Sequence, residues 1–266
     1  MRLTKIICTI GPACSTKEGI ANLLRGGMNV ARLNLSHGSL KDHDVTIKHL
    51  REASAEQGIP LPILIDTKGG EIRTVDRETP LEILEGEDVI FTAEKNANGK
   101  EKVIQVDHAG FLHDASQSKV ILVDNGELVF DVLGTTKDGI KTKAQSKGKV
   151  GSRRHVNLPD VEVSLPTVTE KDWEDIEFAC KENLDFIGLS FVRSANDVEE
   201  VREFLRKKKS NMKIVSKIEC APAVKRLEEI IMASEGVMVA RGDLGAEIPF
   251  EKVPAVQNDI VAKARR

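Results

Sequence analysis

Two carboxylates and a lysine carry the strongest chemical signal in this chain. Lys217 and Glu219 lie in Ser216-Lys217-Ile218-Glu219, and Asp243 lies in Ala240-Arg241-Gly242-Asp243-Leu244-Gly245. Each motif ends a short β-type run, Lys213-Ile214-Val215-Ser216 and Gly236-Val237-Met238-Val239-Ala240. The spacing therefore predicts that Glu219 and Asp243 leave the ends of successive strands, with Lys217 close to the first. Hard cations such as Mg²⁺ take oxygen ligands and often combine one or two carboxylates with substrate phosphate. A lysine beside such a metal neutralises charge on a phosphoryl group in transfer. The competing reading is a surface ion pair between helices, which would do little.

The elements that must position these groups alternate. Lys5 to Ile10 reads as a buried strand, and Gly11-Pro12 turns the chain. Ser15 with Glu18 reads as a capping box before a helix to about Arg25. Asn29 to Leu35 is a second strand. A helix follows from about Leu40 to Glu56, with Ile47, Leu50 and Ala53 on one face, and Pro62 to Asp66 is a third strand. This βαβαβ order is the grammar of a parallel sheet. It resumes at Thr169, capped reciprocally by Asp172, with a helix to about Asn183. Phe186 to Val192 is a fourth strand, Ser194 with Asp197 caps the next helix, and a last helix covers about Val253 to Arg266.

Between these halves the pattern changes. From about Arg73 to His155 the apolar runs are short, alternating and punctuated by turns. Asp88 to Thr92, Lys102 to Val106, Val120 to Val123, Leu128 to Leu133 and Ile140 to Ala144 read as strands, with Asp124-Asn125-Gly126 and Lys137-Asp138-Gly139 as turns. The expectation is a small antiparallel β-barrel domain over 73–155, inserted into an α/β domain of residues 1–72 and 156–266. All six strands of the α/β part end on polar groups: Thr9, Asn34 to Ser36, Asp66 to Lys68, Ser190 to Arg193, Lys217 to Glu219 and Arg241 to Asp243. In (β/α)₈ barrels the chemistry sits at the C-terminal ends of the strands, so one shared site is expected.

Composition excludes several classes. Of 266 residues, 40% are hydrophobic and 30% charged, ordinary for a globular protein. The net charge of −3 gives no basic field for nucleic acid. The four cysteines Cys8, Cys14, Cys180 and Cys220 form no zinc spacing and suit a reducing compartment. No apolar run approaches the roughly 20 residues of a membrane span, and no room is left for a signal peptide before the first strand. A cytoplasmic protein is expected.

At this point the residues resemble a known family, pyruvate kinase. The motifs are Cys8 to Ala13, Ala31 to Gly38, Asp66 to Gly69 with Glu71-Ile72-Arg73, Val156 to Pro159, Leu165-Pro166 with Glu170 to Asp172, Ser190 to Arg193, Ser216 to Glu219 and Met238 to Gly245. They occur in family order over essentially the whole chain. The resemblance implies a TIM-type (β/α)₈ barrel and an inserted mobile lid domain. It implies phosphoryl transfer from phosphoenolpyruvate to ADP, giving pyruvate and ATP in glycolysis, with Mg²⁺ (or Mn²⁺) and usually K⁺. By motif position, Glu219 and Asp243 would hold Mg²⁺, Lys217 would stabilise the phosphoryl group in transfer, and Arg32 would grip the phosphate. Asn34, Ser36, Asp66 and Thr67 would form the K⁺ site, and Glu71 marks the K⁺-dependent type. His37, Arg73 and Lys171 would contact nucleotide, and the amides of Gly242 and Asp243 would face the substrate carboxylate.

The chain departs from the family pattern in four places. Gly70 stands where relatives usually have Pro, His155 where they have Gly, and Cys220 where they have Asn. Gly70 is expected to loosen the hinge into the lid, and His155 to be strained if its position needs positive φ. The fourth departure is length. About thirty residues per βα unit accommodate six units, an incomplete barrel of six of eight strands with open edges. The family's threonine motif on the seventh strand, tied to protonating the enolate, has no counterpart. Three readings follow from this count. One is a working phosphotransferase completed by a homo-oligomer or a partner chain. Another is a catalytically impaired paralogue that binds phosphoenolpyruvate or nucleotide as a regulatory module. The third is a piece of an ordinary member.

Overall fold

The computed structural model describes residues 3–94 and 102–266. The chain opens with β1 (Ile7–Thr9), α1 (Lys17–Gly26), β2 (Val30–Asn34), α2 (Leu40–Gln57) and β3 (Ile63–Asp66). Short strands follow: β4 (Ile72–Arg73), β5 (Leu81–Ile83), β6 (Asp88–Thr92) and β7 (Lys102–Gln105), then helix α3 (Phe111–Ala115). The run continues with β8 (Val120–Val123), β9 (Leu128–Thr136), β10 (Gly139–Ala144), β11 (Gly148–Val150) and β12 (His155–Asn157). Alternation resumes with α4 (Glu170–Lys181), β13 (Phe186–Leu189), α5 (Ala195–Lys207), β14 (Lys213–Ile218), α6 (Ala221–Lys225), α7 (Leu227–Ala233) and β15 (Gly236–Val239). Helices α8 (Arg241–Glu247) and α9 (Val253–Ala264) close the described chain.

The architecture is α/β, an incomplete barrel-type parallel sheet with a β-rich insertion. The parallel sheet has six strands in the order β1-β2-β3-β13-β14-β15. Contacts divide the chain into two compact units. The first comprises Met1–Gly69, Thr167–Lys217 and Glu228–Met238; the second comprises Gly70–Pro166, Ile218–Leu227 and Val239–Arg266.

In the first unit, the local rules of sequence explain most elements. Helix α2 buries Ile47, Leu50 and Ala53, one stripe at helical spacing, and begins with a capping box between Ser39 and Asp42. Thr169 with Asp172 and Ser194 with Asp197 form the expected reciprocal caps of α4 and α5. Three expectations are corrected. Helix α1 is capped by Thr16, whose hydroxyl accepts from Gly19 N at 3.1 Å, and not by Ser15. Strand β1 is short and exposed where a buried strand over Lys5 to Ile10 was expected: Ile7 keeps 49% of its surface, because an edge strand has a neighbour on one side alone. Strand β13 ends at Leu189 and does not reach Val192; the chain leaves the sheet through Phe191, which has a left-handed φ of 52°.

In the second unit, a seven-stranded sheet runs β4-β12-β8-β9-β10-β6-β7, and a two-stranded sheet pairs β11 with β5. Its core centres on Phe91, Phe111 and Phe130, all fully buried, with Phe91 and Phe130 edge-to-face at 5.0 Å between centroids. The tight turn Asp124-Asn125-Gly126 has three consecutive positive φ values, as its residue types anticipate. The pairing is not wholly antiparallel, since β6 and β7 run parallel. Strands β5 and β11 and helix α3 were not foreseen; at three to five residues each they carry too little periodicity. His155 lies in β12 outside the positive-φ residues, so it is not strained as expected. It is buried instead, which pushes its pKa below the usual histidine value, and its Nε2 lies 3.8 Å from Glu71 Oε2. Gly70 lies against the backbone of Pro166. A Cβ there would meet the Pro166 carbonyl oxygen at 2.1 Å, so the glycine permits a close backbone approach.

Candidate functional site

Register builds the first unit's polar cluster. Asn34 at the end of β2 is aligned with Asp66 at the end of β3, and Asp66 is aligned with Gly188 of β13. The Asp66 carboxylate is buried, and both cations predicted for the phosphate turn towards it. Lys217 Nζ lies 3.2 Å from Asp66 Oδ2. Arg32 reaches the same oxygen through Nη2 and, at 3.1 Å, through Nε, while its Nη1 donates to Thr9 Oγ1 at 2.9 Å. Three of the five guanidinium N–H donors are thereby committed, and two remain for a ligand. Asp66 thus holds the two cations beside each other against their mutual repulsion.

Ser190 belongs to this cluster too, though only its strand-end position hinted at it. Its hydroxyl accepts from Lys217 Nζ at 2.8 Å and donates to the Thr67 carbonyl at 2.6 Å. Its backbone N–H donates to Thr67 Oγ1 at 3.0 Å. Gly69 makes room: at φ 76° it sits where a Cβ would be 2.8 Å from the Phe191 ring. The left-handed turn at Phe191 and the cradle around Thr67 therefore fix the lysine's partner. A non-glycine residue in this region, at the end of a strand, is the kind of local strain found at functional positions.

The four residues expected to hold a monovalent cation all present oxygen. Asn34 Oδ1 accepts from Ser36 N at 3.0 Å, Thr67 is buried, and Ser36 is exposed. Asp66 Oδ1 is buried with no hydrogen-bond partner among the described residues. An all-oxygen set with one orphaned carboxylate oxygen fits a hard cation.

His37 and Lys171 stand apart from that cluster, still in the first unit. His37 lines a cavity of about 580 Å³ with Thr9, Pro12, Asn34, Asp42 and His43. His43 Nε2 lies 2.8 Å from the His37 carbonyl; a carbonyl only accepts, so that nitrogen carries the hydrogen. Lys171 is ion-paired with Asp175 one turn along α4.

The second unit contains the remaining predicted residues. Glu219 is fully buried just beyond β14. Asp243 is half-buried in the first turn of α8, and Gly242 beside it is exposed. Glu71 is bonded by Arg73 Nε at 2.5 Å, so these two predicted groups contact each other. Among the described residues no three His, Cys, Asp or Glu side chains cluster as a metal site. Two carboxylates are the right chemistry for Mg²⁺ that completes its shell with water and phosphate, and so they fit.

A parallel α/β sheet whose strands end in cations and carboxylates is the arrangement of a barrel-type enzyme. Comparison with known proteins narrows the class. Residues 1–266 match the family model described as pyruvate kinase, barrel domain. The chain is 43% identical to pyruvate kinase of Bacillus licheniformis and 42% identical to pyruvate kinase of Staphylococcus aureus, over 99% and 100% of its own length. It is 40% identical to plastidial pyruvate kinase 2 of Arabidopsis thaliana, over 99% of its length. The chain belongs to the pyruvate kinase family. It spans 46% of the length of each of these relatives.

Proposed function

We propose that this chain carries residues for phosphoryl transfer from phosphoenolpyruvate to ADP, yielding pyruvate and ATP. The observation that carries the reading is the sharing of Asp66 Oδ2 by Arg32 and Lys217. Two cations held side by side at strand ends suit a phosphoryl group, whose transfer needs positioning and positive charge more than covalent catalysis. Arg32 binds the phosphate with its two uncommitted N–H groups. Lys217, oriented by Ser190 and Asp66, stabilises the charge on the phosphoryl oxygens as the enol O–P bond breaks and the bond to the terminal ADP oxygen forms, leaving the enolate of pyruvate to take a proton from water. Glu219 and Asp243 would hold Mg²⁺, which when bound would supply Lewis-acid stabilisation to a phosphoryl group. Asn34, Ser36, Asp66 and Thr67 would hold K⁺, with Glu71 setting the dependence on it. The Gly242 and Asp243 amides orient the substrate carboxylate.

For the nucleotide, the assignment is His37, Lys171 and Arg73. Support comes from the cavity beside His37, whose size is in the range of small-molecule sites. A cytoplasmic location is in keeping with the free cysteines Cys8, Cys14, Cys180 and Cys220.

The test is titration calorimetry of phosphoenolpyruvate with and without Mg²⁺, on the chain and on Glu219→Gln. Binding that requires Mg²⁺ and is lost in the variant is expected. Equal affinity in the variant would overturn the metal assignment.

A further inference from the structure

Asp175 is a buried acid that the proposed reaction leaves without a task. Its side chain is fully inaccessible, one turn into α4, and among the described residues its Oδ2 has no hydrogen-bond partner. Its Oδ1 is bonded by the ammonium of Lys171. A buried carboxylate with one satisfied oxygen is costly, and removing the ammonium bonded to it would be costlier still. Lys171 is therefore held tightly at its charged end. Its side chain is nonetheless 52% exposed. Among the described residues its ammonium bonds Asp175, which leaves two of its three N–H donors uncommitted.

The pair has neighbours that indicate what those donors face. The charges acting on Asp175 are those of Lys171 and Asp172 on its own helix and of His43 on α2. His43 also lines the cavity beside His37. The Lys171–Asp175 pair thus lies within electrostatic reach of His43, which lines that cavity together with the Asp42 carboxylate, and the ammonium keeps donors to spare for an anion.

We propose that Asp175 is a positioning residue: it holds Lys171 so that the ammonium can bridge from the buried carboxylate to an anionic phosphate of a nucleoside diphosphate. This rests on the nucleotide reading given above and adds to it the group that orients the lysine. A lysine free to rotate would lose considerable side-chain entropy on binding phosphate; one already pinned does not.

The arrangement has a pH signature. Burial pushes the Asp175 pKa above the ordinary 3.8, against the pull of Lys171 and His43, with Asp172 raising it further. As pH falls through that raised value the carboxyl takes a proton, and Lys171 loses its ionic anchor. ADP affinity should fall with it, beyond the change due to ADP's own titration.

The experiment is calorimetric titration of the full chain with ADP, between about pH 7 and pH 4, for the native protein, Asp175→Asn, Lys171→Ala and the double variant. Asn mimics the protonated acid in shape, and Asp175→Glu serves as a second variant should Asn fail to fold. At neutral pH, Lys171→Ala and Asp175→Asn are each expected to weaken ADP roughly tenfold. The double variant should be no weaker than Lys171→Ala. The acid slope, relative to Lys171→Ala, should disappear in Asp175→Asn, and phosphoenolpyruvate affinity should be unchanged. If Lys171→Ala weakens ADP while Asp175→Asn does not, Asp175 does not position the lysine, and the nucleotide reading survives. If ADP does not bind, or binds Lys171→Ala as well as the native protein, the nucleotide role of Lys171 is wrong and the positioning role falls with it.

Discussion

Lys217 Nζ stands 3.2 Å from Asp66 Oδ2, an ion pair buried between the ends of β3 and β14. The oxygen is also the acceptor for Arg32. Asp66→Asn would remove the carboxylate charge that the two cations share, one of them only 10% exposed. Breaking a buried pair by removing one partner costs about 3 kcal/mol or more. Urea unfolding should show a loss of that order in Asp66→Asn. An unchanged midpoint would mean that solvent, and not Asp66, compensates the cations.

Gly70 offers a test of close packing in the second unit. Gly70→Pro would put a ring carbon where a Cβ meets the Pro166 oxygen at 2.1 Å. Overpacking of this kind typically costs about 1–3 kcal/mol. Gly70→Pro and Gly70→Ala should both lower the thermal midpoint. Stabilisation by proline would show that the backbone there adapts freely.

Asp114 should set an acid limit for the second unit. Burial pushes its pKa up, but the Ser164 backbone N–H, His108 and the Ser164 hydroxyl together outweigh it and hold the pKa below the ordinary 3.8. Its Oδ2 accepts from Ser164 N at 2.8 Å, and His108 Nε2 lies 2.7 Å away. A carboxylate with a depressed folded pKa contributes stability that is fully present above its unfolded value and is lost as pH falls through the folded one. Stability should therefore decline below about pH 3.8. Asp114→Asn should be less stable at neutral pH and show a flatter acid limb. An identical pH profile in the variant would remove Asp114 from that role.

Much of the fold was legible because the signals were local and repeated. The stripe Ile47, Leu50 and Ala53 has helical period, and Thr169 with Asp172 marks a helix start by reciprocal bonding. What depends on tertiary partners was not. The exposure of β1 follows from its place at a sheet edge, and the parallel pairing of β6 with β7 from long-range register. The same holds at the candidate site. Asp66 and Lys217 read singly as strand-end polar groups, and Arg32 enters through the family resemblance alone. Their convergence on one carboxylate oxygen arises from the alignment of Asn34, Asp66 and Gly188 across three strands. Gly188 shows how tight that alignment is, since a Cβ there would meet Asp66 Oδ1 at 2.2 Å. The Ser190 bond to Lys217 has no local sequence signal beyond its strand-end position, because it depends on the left-handed turn at Phe191.

The proposed phosphoryl transfer turns on Lys217. The most direct measurement is a coupled assay of pyruvate formation from phosphoenolpyruvate and ADP, with Mg²⁺ and K⁺, beside Lys217→Ala. Pyruvate formation that falls by roughly a hundredfold or more in the variant is expected, the size of effect seen when a transition-state charge loses one preorganised partner. Absence of pyruvate formation by the native chain, or equal rates in the native chain and Lys217→Ala, would contradict the account.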